Sequence, residues 1–131
     1  PVFIQRLKTA AQPLMFLDYL IETHIQAAVI NGGGILVNIP DPARYALHKL
    51  MVAGERPVSS SVKSTKDLFQ VSQLFNGLIP DRPGDLPVAM EEIKSRGKGW
   101  VKRLENGLKQ LGITYPDTYK LFKDNCASHA K

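Results

Sequence analysis

At 131 residues the chain is long enough for one domain with a buried core, and too short for several. Its 44% hydrophobic and 22% charged content is ordinary for a globular protein, and no apolar run approaches the roughly 18 to 20 residues that span a bilayer. Seventeen Lys and Arg against twelve Asp and Glu leave +5, which favours phosphate-bearing partners without naming one.

The opening "PVFIQRLK" lacks the layout of a signal peptide and carries no methionine, so a processed chain or the downstream piece of a longer one is expected. Residues 1 to 11 set no element. "PLMFLDYLIE" (13 to 22) spreads Leu14, Leu17, Tyr19, Leu20 and Ile21 over a broad apolar surface, and Pro13 suits a first turn, so a short helix is expected. "IQAAVIN" and "ILVNIP" are β-branched runs separated by Gly32, Gly33 and Gly34, which reads as one small β-hairpin near residues 25 to 39. A phosphate-binding glycine loop is the poorer reading, since no Lys-Ser/Thr follows and the next element is a strand.

Beyond Pro40 the pattern turns helical. Asp41 suits an N-cap, Pro42 the first helical position, and a helix is expected to reach Ala53 and stop at Gly54. Leu47, Leu50 and Met51 form its core stripe. At ~100° per residue, Tyr45, Lys49 and Arg56 lie within ~40° of one another, with Arg44 and His48 on a neighbouring stripe. "RPVSSSVKS" (56 to 64) reads as a loop, and Ser64 to Asp67 matches the S-x-x-D capping box of a helix running to about Leu78. That helix would bury Leu68, Val71, Leu74, Phe75 and Leu78. After the turn-dense "PDRPGDLP", helices are expected over 87 to 95, 100 to 111 and 116 to 123, with "RGKG" as a break and "NCASHAK" fraying. The sum is an α+β chain of five or six helices and one hairpin: residues 1–80 carry the hairpin and first helices, and 81–131 form a helical tail.

His24, His48 and His129 are too far apart to suggest a metal pattern, and the lone Cys126 can form no internal disulfide, which suits a cytoplasmic setting. The residues that could carry chemistry are Lys49 on one helix and Lys66 with Asp67 on the next. A short antiparallel connection would let cations and a helix N-terminus converge on a polyphosphate, with Asp67 placed to orient or deprotonate an attacking hydroxyl. A capping acid and a snorkelling surface lysine would account for the same residues.

"IPDPARYALHKL" and "KDLFQ", with the hairpin before them, resemble the C-terminal half of a bacterial nucleotidyltransferase-like family. That family lies within the DNA polymerase beta superfamily and is related to the AbiEii-type toxins, and the likeness runs over residues 10 to 110. It implies that Lys49 contacts a nucleoside triphosphate, that Arg56 assists, and that Lys66 and Asp67 stand at the catalytic cleft. It further implies Mg²⁺-dependent transfer of a nucleoside monophosphate to a hydroxyl on RNA, protein or a small molecule. The superfamily's G-S pair and D-x-D are both missing here, and two-metal transfer requires clustered carboxylates, so the chain alone is expected to be inactive. The other reading is a non-catalytic basic module binding nucleic acid or a partner protein. It rests on Lys94, Arg96, Lys98, Lys102 and Arg103 around Trp100, although a tryptophan there is more often a core anchor.

Overall fold

The structure, a computed structural model, describes residues 2–11, 15–56 and 61–129. The expected helical start at Pro13 and Leu14, and residues 57–60 of the serine-rich loop, lie outside the described residues. The elements are β1 (Val2–Ile4), β2 (Thr9–Ala11), α1 (Leu17–Ile21), β3 (His24–Ile30), β4 (Gly34–Pro40), α2 (Pro42–Glu55), α3 (Ser61–Asp81), α4 (Asp85–Ser95), α5 (Lys98–Thr114) and α6 (Pro116–His129). This is the helix-dominated α+β architecture the sequence implies.

The hairpin forms where the glycines predict it. Its strands are antiparallel, with Ile25 opposite Ile39, Ala27 opposite Val37 and Val29 opposite Ile35 on one face. Gly32 takes φ 65°, the conformation its missing Cβ allows, and turns the chain. A second pairing goes beyond the sequence reading. β1 and β2 form a separate two-stranded sheet, closed by a 3-10 turn (Gln5–Leu7) and by Lys8 in the left-handed region.

α2 starts as expected: Asp41 Oδ1 accepts from the backbone N–H groups of Ala43 and Arg44 at 3.0 and 3.1 Å, and Pro42 follows the cap. It ends at Glu55, one residue past Gly54, close to the expected stop. The backbone of α5 passes this glycine. A Cβ on Gly54 would sit 2.8 Å from the carbonyl oxygen of Arg103, and one on Gly107 would sit 2.1 Å from that of Leu50. The two glycines let α2 and α5 cross in backbone contact.

α3 to α6 are longer than their sequence signals, whereas α1 spans only Leu17–Ile21, with Met15 and Phe16 in a turn before it. α3 is already helical at Ser61, so Ser64 is no N-cap; its hydroxyl donates to Gln110 Oε1 on α5 instead. α4 tolerates Pro87 in its first turn, where backbone N–H groups have no helical partner in any case. The "RGKG" break narrows to Gly97 at φ 110°, and α5 begins at Lys98. α6 continues to His129, since Phe122 and Asn125 are buried and Asn125 donates to the Pro83 carbonyl.

One cluster of buried side chains draws on all six helices. Leu47, Leu50 and Met51 of α2 are fully buried at its centre, facing Leu68, Val71 and Phe75 of α3 and Leu104 and Leu111 of α5. Phe122 of α6 stacks on Phe75 at 4.8 Å between ring centroids. With α2 locked between α3 and α5, the polar groups at the α2–α3 seam have fixed positions.

Candidate nucleotide site

The cations of α2 do not form a solvated face. Arg44 and His48 are each 7% exposed. Arg44 donates to Glu22 Oε2 at 2.9 Å and to the Tyr19 carbonyl at 2.8 Å, pairs with Glu92 at 2.7 Å, and stacks on the Tyr19 ring. It therefore joins α1, α2 and α4. His48 places Nε2 2.9 Å from the Met15 carbonyl; if Nε2 donates there, the neutral ring's Nδ1 is an acceptor. That Nδ1 is buried without a partner among the described residues. Burial holds the ring's pKa below the usual histidine range, and the positive charge of Lys49 acts in the same sense.

Lys49 and Arg56 meet at Asp67. Lys49 Nζ donates to Oδ1 at 2.9 Å, while Arg56 donates to Oδ2 from Nε at 2.9 Å and pairs with it through Nη2 at 2.8 Å. The carboxylate side chain is 6% exposed and the cations 22% and 27%, so the acid is sunk in the seam and the bases cover it. Burial works to lower the basicity of Lys49, but the Asp67 carboxylate, by hydrogen bond and charge, more than offsets it and holds the ammonium above its ordinary range. Lys49 also lies over the Tyr45 ring at 5.4 Å.

Beside Arg56, the surface opens into a depression of about 330 Å³ lined by the polar Ser61, Ser64, Thr65, Gln110 and Thr114 and by the apolar Leu68 and Ile113. The structure thus brings together Lys49, Arg56 and Asp67, and it leaves Lys66 exposed on the neighbouring turn of α3, with no ion-pair partner among the described residues. Asp67 is not the first-turn capping acid its motif suggests; it lies well inside α3 and faces α2.

A protein-family model described as "Nucleotidyltransferase" matches residues 1–95. The chain belongs to this nucleotidyltransferase family. Lys49, Arg56, Lys66 and Asp67 all fall inside the family region, whereas α5 and α6 lie beyond it. No curated protein and no solved structure matches the chain.

A nucleotidyltransferase of the two-metal kind needs several acids around its ions, and these residues do not fit that requirement. Among the described residues no three His, Cys, Asp or Glu side chains converge. Asp67, the one acid at the site, is bound to two cations.

Three of the five cations around Trp100 are paired within the fold, and Lys98 and Lys102 are exposed with no ion-pair partner among the described residues. Arg96 pairs with Asp18 at 2.8 Å and lies over the Tyr19 and Trp100 rings, Lys94 pairs with Glu91, and Arg103 reaches Glu55 at 3.4 Å. Trp100 packs edge-on against Phe16 and Tyr19. It is a core anchor. No helix among the described residues is long and apolar enough to cross a membrane.

Proposed function

We propose that this chain provides the nucleotide side of a Mg²⁺-dependent nucleotidyltransferase, which moves a nucleoside monophosphate from a nucleoside triphosphate to a hydroxyl acceptor. In that reaction the acceptor oxygen bonds to the α-phosphorus, the bond to pyrophosphate breaks, and the acceptor proton leaves. The observation that supports it is the Lys49–Asp67–Arg56 cluster, held across α2 and α3 within the family region, with Arg56 bordering a depression of mixed polar and apolar lining. Lys49 and Arg56 would neutralise phosphate oxygens from their solvent-facing edges, and Lys66 would add a third positive charge from α3. With cations on both of its oxygens, Asp67 would act by positioning those two side chains rather than by taking a proton.

The acids that bind Mg²⁺ would be supplied from outside these residues, so this chain alone is inactive in transfer and its nucleotide affinity does not depend on the metal. The proposal extends to the kinship with AbiEii-type enzymes and to a cytoplasmic setting; the acceptor is RNA, a protein or a small molecule.

The test is calorimetric titration of the four nucleoside triphosphates into the chain, with Mg²⁺ and with EDTA. Saturable binding on the order of 1 mM is expected in both conditions. Lys49→Gln and Arg56→Gln should each weaken it at least fivefold while the far-UV circular dichroism stays unchanged. No saturable binding by any nucleotide, or equal binding by folded variants, refutes the assignment.

A further inference from the structure

The three C-terminal helices build a second feature, on elements that mostly lie beyond the family region. Between α4, α5 and α6 runs a groove of about 650 Å³ whose floor is Met90, Val101, Leu104, Leu108, Phe122 and Cys126. It continues past Met90, Lys94 and Cys126 into a second depression of about 370 Å³ that Pro87 and Val88 also line. Small-molecule pockets enclose most of their ligand's surface. This trough is open along its length, so its shape suits an elongated occupant.

Its rim is basic. Each wall contributes one lysine, Lys94 from α4, Lys109 from α5 and Lys123 from α6, against Glu105 in the main groove and Glu91 in its extension, and Lys94 is paired with Glu91. Lys109 and Lys123 are exposed and have no ion-pair partner among the described residues. An apolar strip flanked by cations is complementary to a helix with one apolar face and acidic flanks. Three helices around such a trough form an incomplete bundle that an added helix would close.

We propose that this groove is a docking site for an acidic amphipathic helix of a partner protein. The partner's apolar side chains lie on Met90, Val101, Leu108 and Cys126, and its carboxylates meet Lys109 and Lys123. Met90 and Cys126, with sulfur atoms 3.8 Å apart at the centre of the floor, offer polarisable surface that adapts to different apolar side chains. The site does not rest on the nucleotide reading, and its failure would leave that reading intact.

The experiment uses the complete chain and a labelled synthetic helical peptide of about 20 residues, with leucines on one face and glutamates flanking them. A second peptide carries lysine at every glutamate. Fluorescence anisotropy should show saturable binding of the glutamate peptide, at least tenfold tighter than the lysine peptide and weakened by salt. The double variant Lys109→Glu/Lys123→Glu changes only exposed side chains, so it should keep the fold while reversing the preference between the two peptides. Equal binding of both peptides, or a preference unmoved by the charge reversal, overturns the proposal. Displacement of the glutamate peptide by a single-stranded oligonucleotide would assign the lysines to nucleic acid and overturn it too.

Discussion

Replacing Gly107 with alanine tests the helix crossing that holds the candidate site. Alanine is the better helix former by about 1 kcal/mol, so on propensity alone the variant should be more stable. The structure predicts the reverse. The new Cβ would lie 2.1 Å from the Leu50 carbonyl oxygen and 2.6 Å from its carbon, with backbone rather than a movable side chain as the obstacle. Ordinary carbon–oxygen contacts begin at about 3.3 Å, so α2 and α5 must part by roughly 1 Å. That loosens the packing of Leu47, Leu50 and Met51 against Leu104 and Leu111, all of them buried. Overpacking of this kind costs about 3 kcal/mol or slightly more, leaving a net loss of about 2 to 3 kcal/mol after the propensity gain. For a chain of this size the melting temperature should drop by about 10 °C. Gly77 is the internal control: it is exposed on α3 with nothing within 4 Å of an added methyl, so Gly77→Ala should stabilise by about 0.5 to 1 kcal/mol. Urea unfolding of both variants and the parent reads the two signs. A Gly107→Ala variant as stable as the parent would show that the helices do not touch through Gly107.

Asp67→Asn keeps the shape of the side chain and strands two cations beside a neutral amide. Because Lys49 and Arg56 retain some solvent, the expected loss is about 2 kcal/mol, below the range for fully buried pairs, and a double-mutant cycle with Lys49→Gln should show coupling above about 1 kcal/mol. Absence of coupling would remove the pair from the site. Lys66→Ala should leave urea stability within about 0.5 kcal/mol, because the side chain is exposed, while weakening nucleotide binding two- to threefold in the same calorimetric titration. His48 makes stability pH-dependent. Its folded pKa lies below that of the unfolded chain, near 6.5, so its contribution is complete above about pH 6.5 and falls on acidification as the unfolded chain takes up the proton first. Urea unfolding between about pH 7.5 and 5.5 should show this decline, and His48→Gln should flatten it.

What could be read along the chain was local. The hairpin follows from Gly32 and the β-branched runs on either side, the start of α2 from Asp41 and Pro42, and the buried stripes of α2 and α3 from apolar spacing, because neighbours within one turn decide each of these. The shared stripe of Lys49 and Arg56 and the approach of Lys49 to Asp67 were legible too; that Arg56 binds the same carboxylate was not. A helical wheel places side chains in angle, whereas the meeting of Arg56 with Asp67 depends on how α3 lies against α2. Gly54 shows the same limit: the sequence marks it as a helix end, and only the passage of α5 shows that it is also a crossing point. Ser64 and Asp67 spell a capping box, yet Ser64 stands inside α3 bonded to Gln110, and Asp67 faces the α2–α3 seam. Arg96 and Arg103 read as free positive charge because their acidic partners sit on distant segments. Residue identities and short-range spacing determined which elements form. Tertiary packing decided which charges are neutralised, because ion pairs between helices depend on distances through space rather than along the chain.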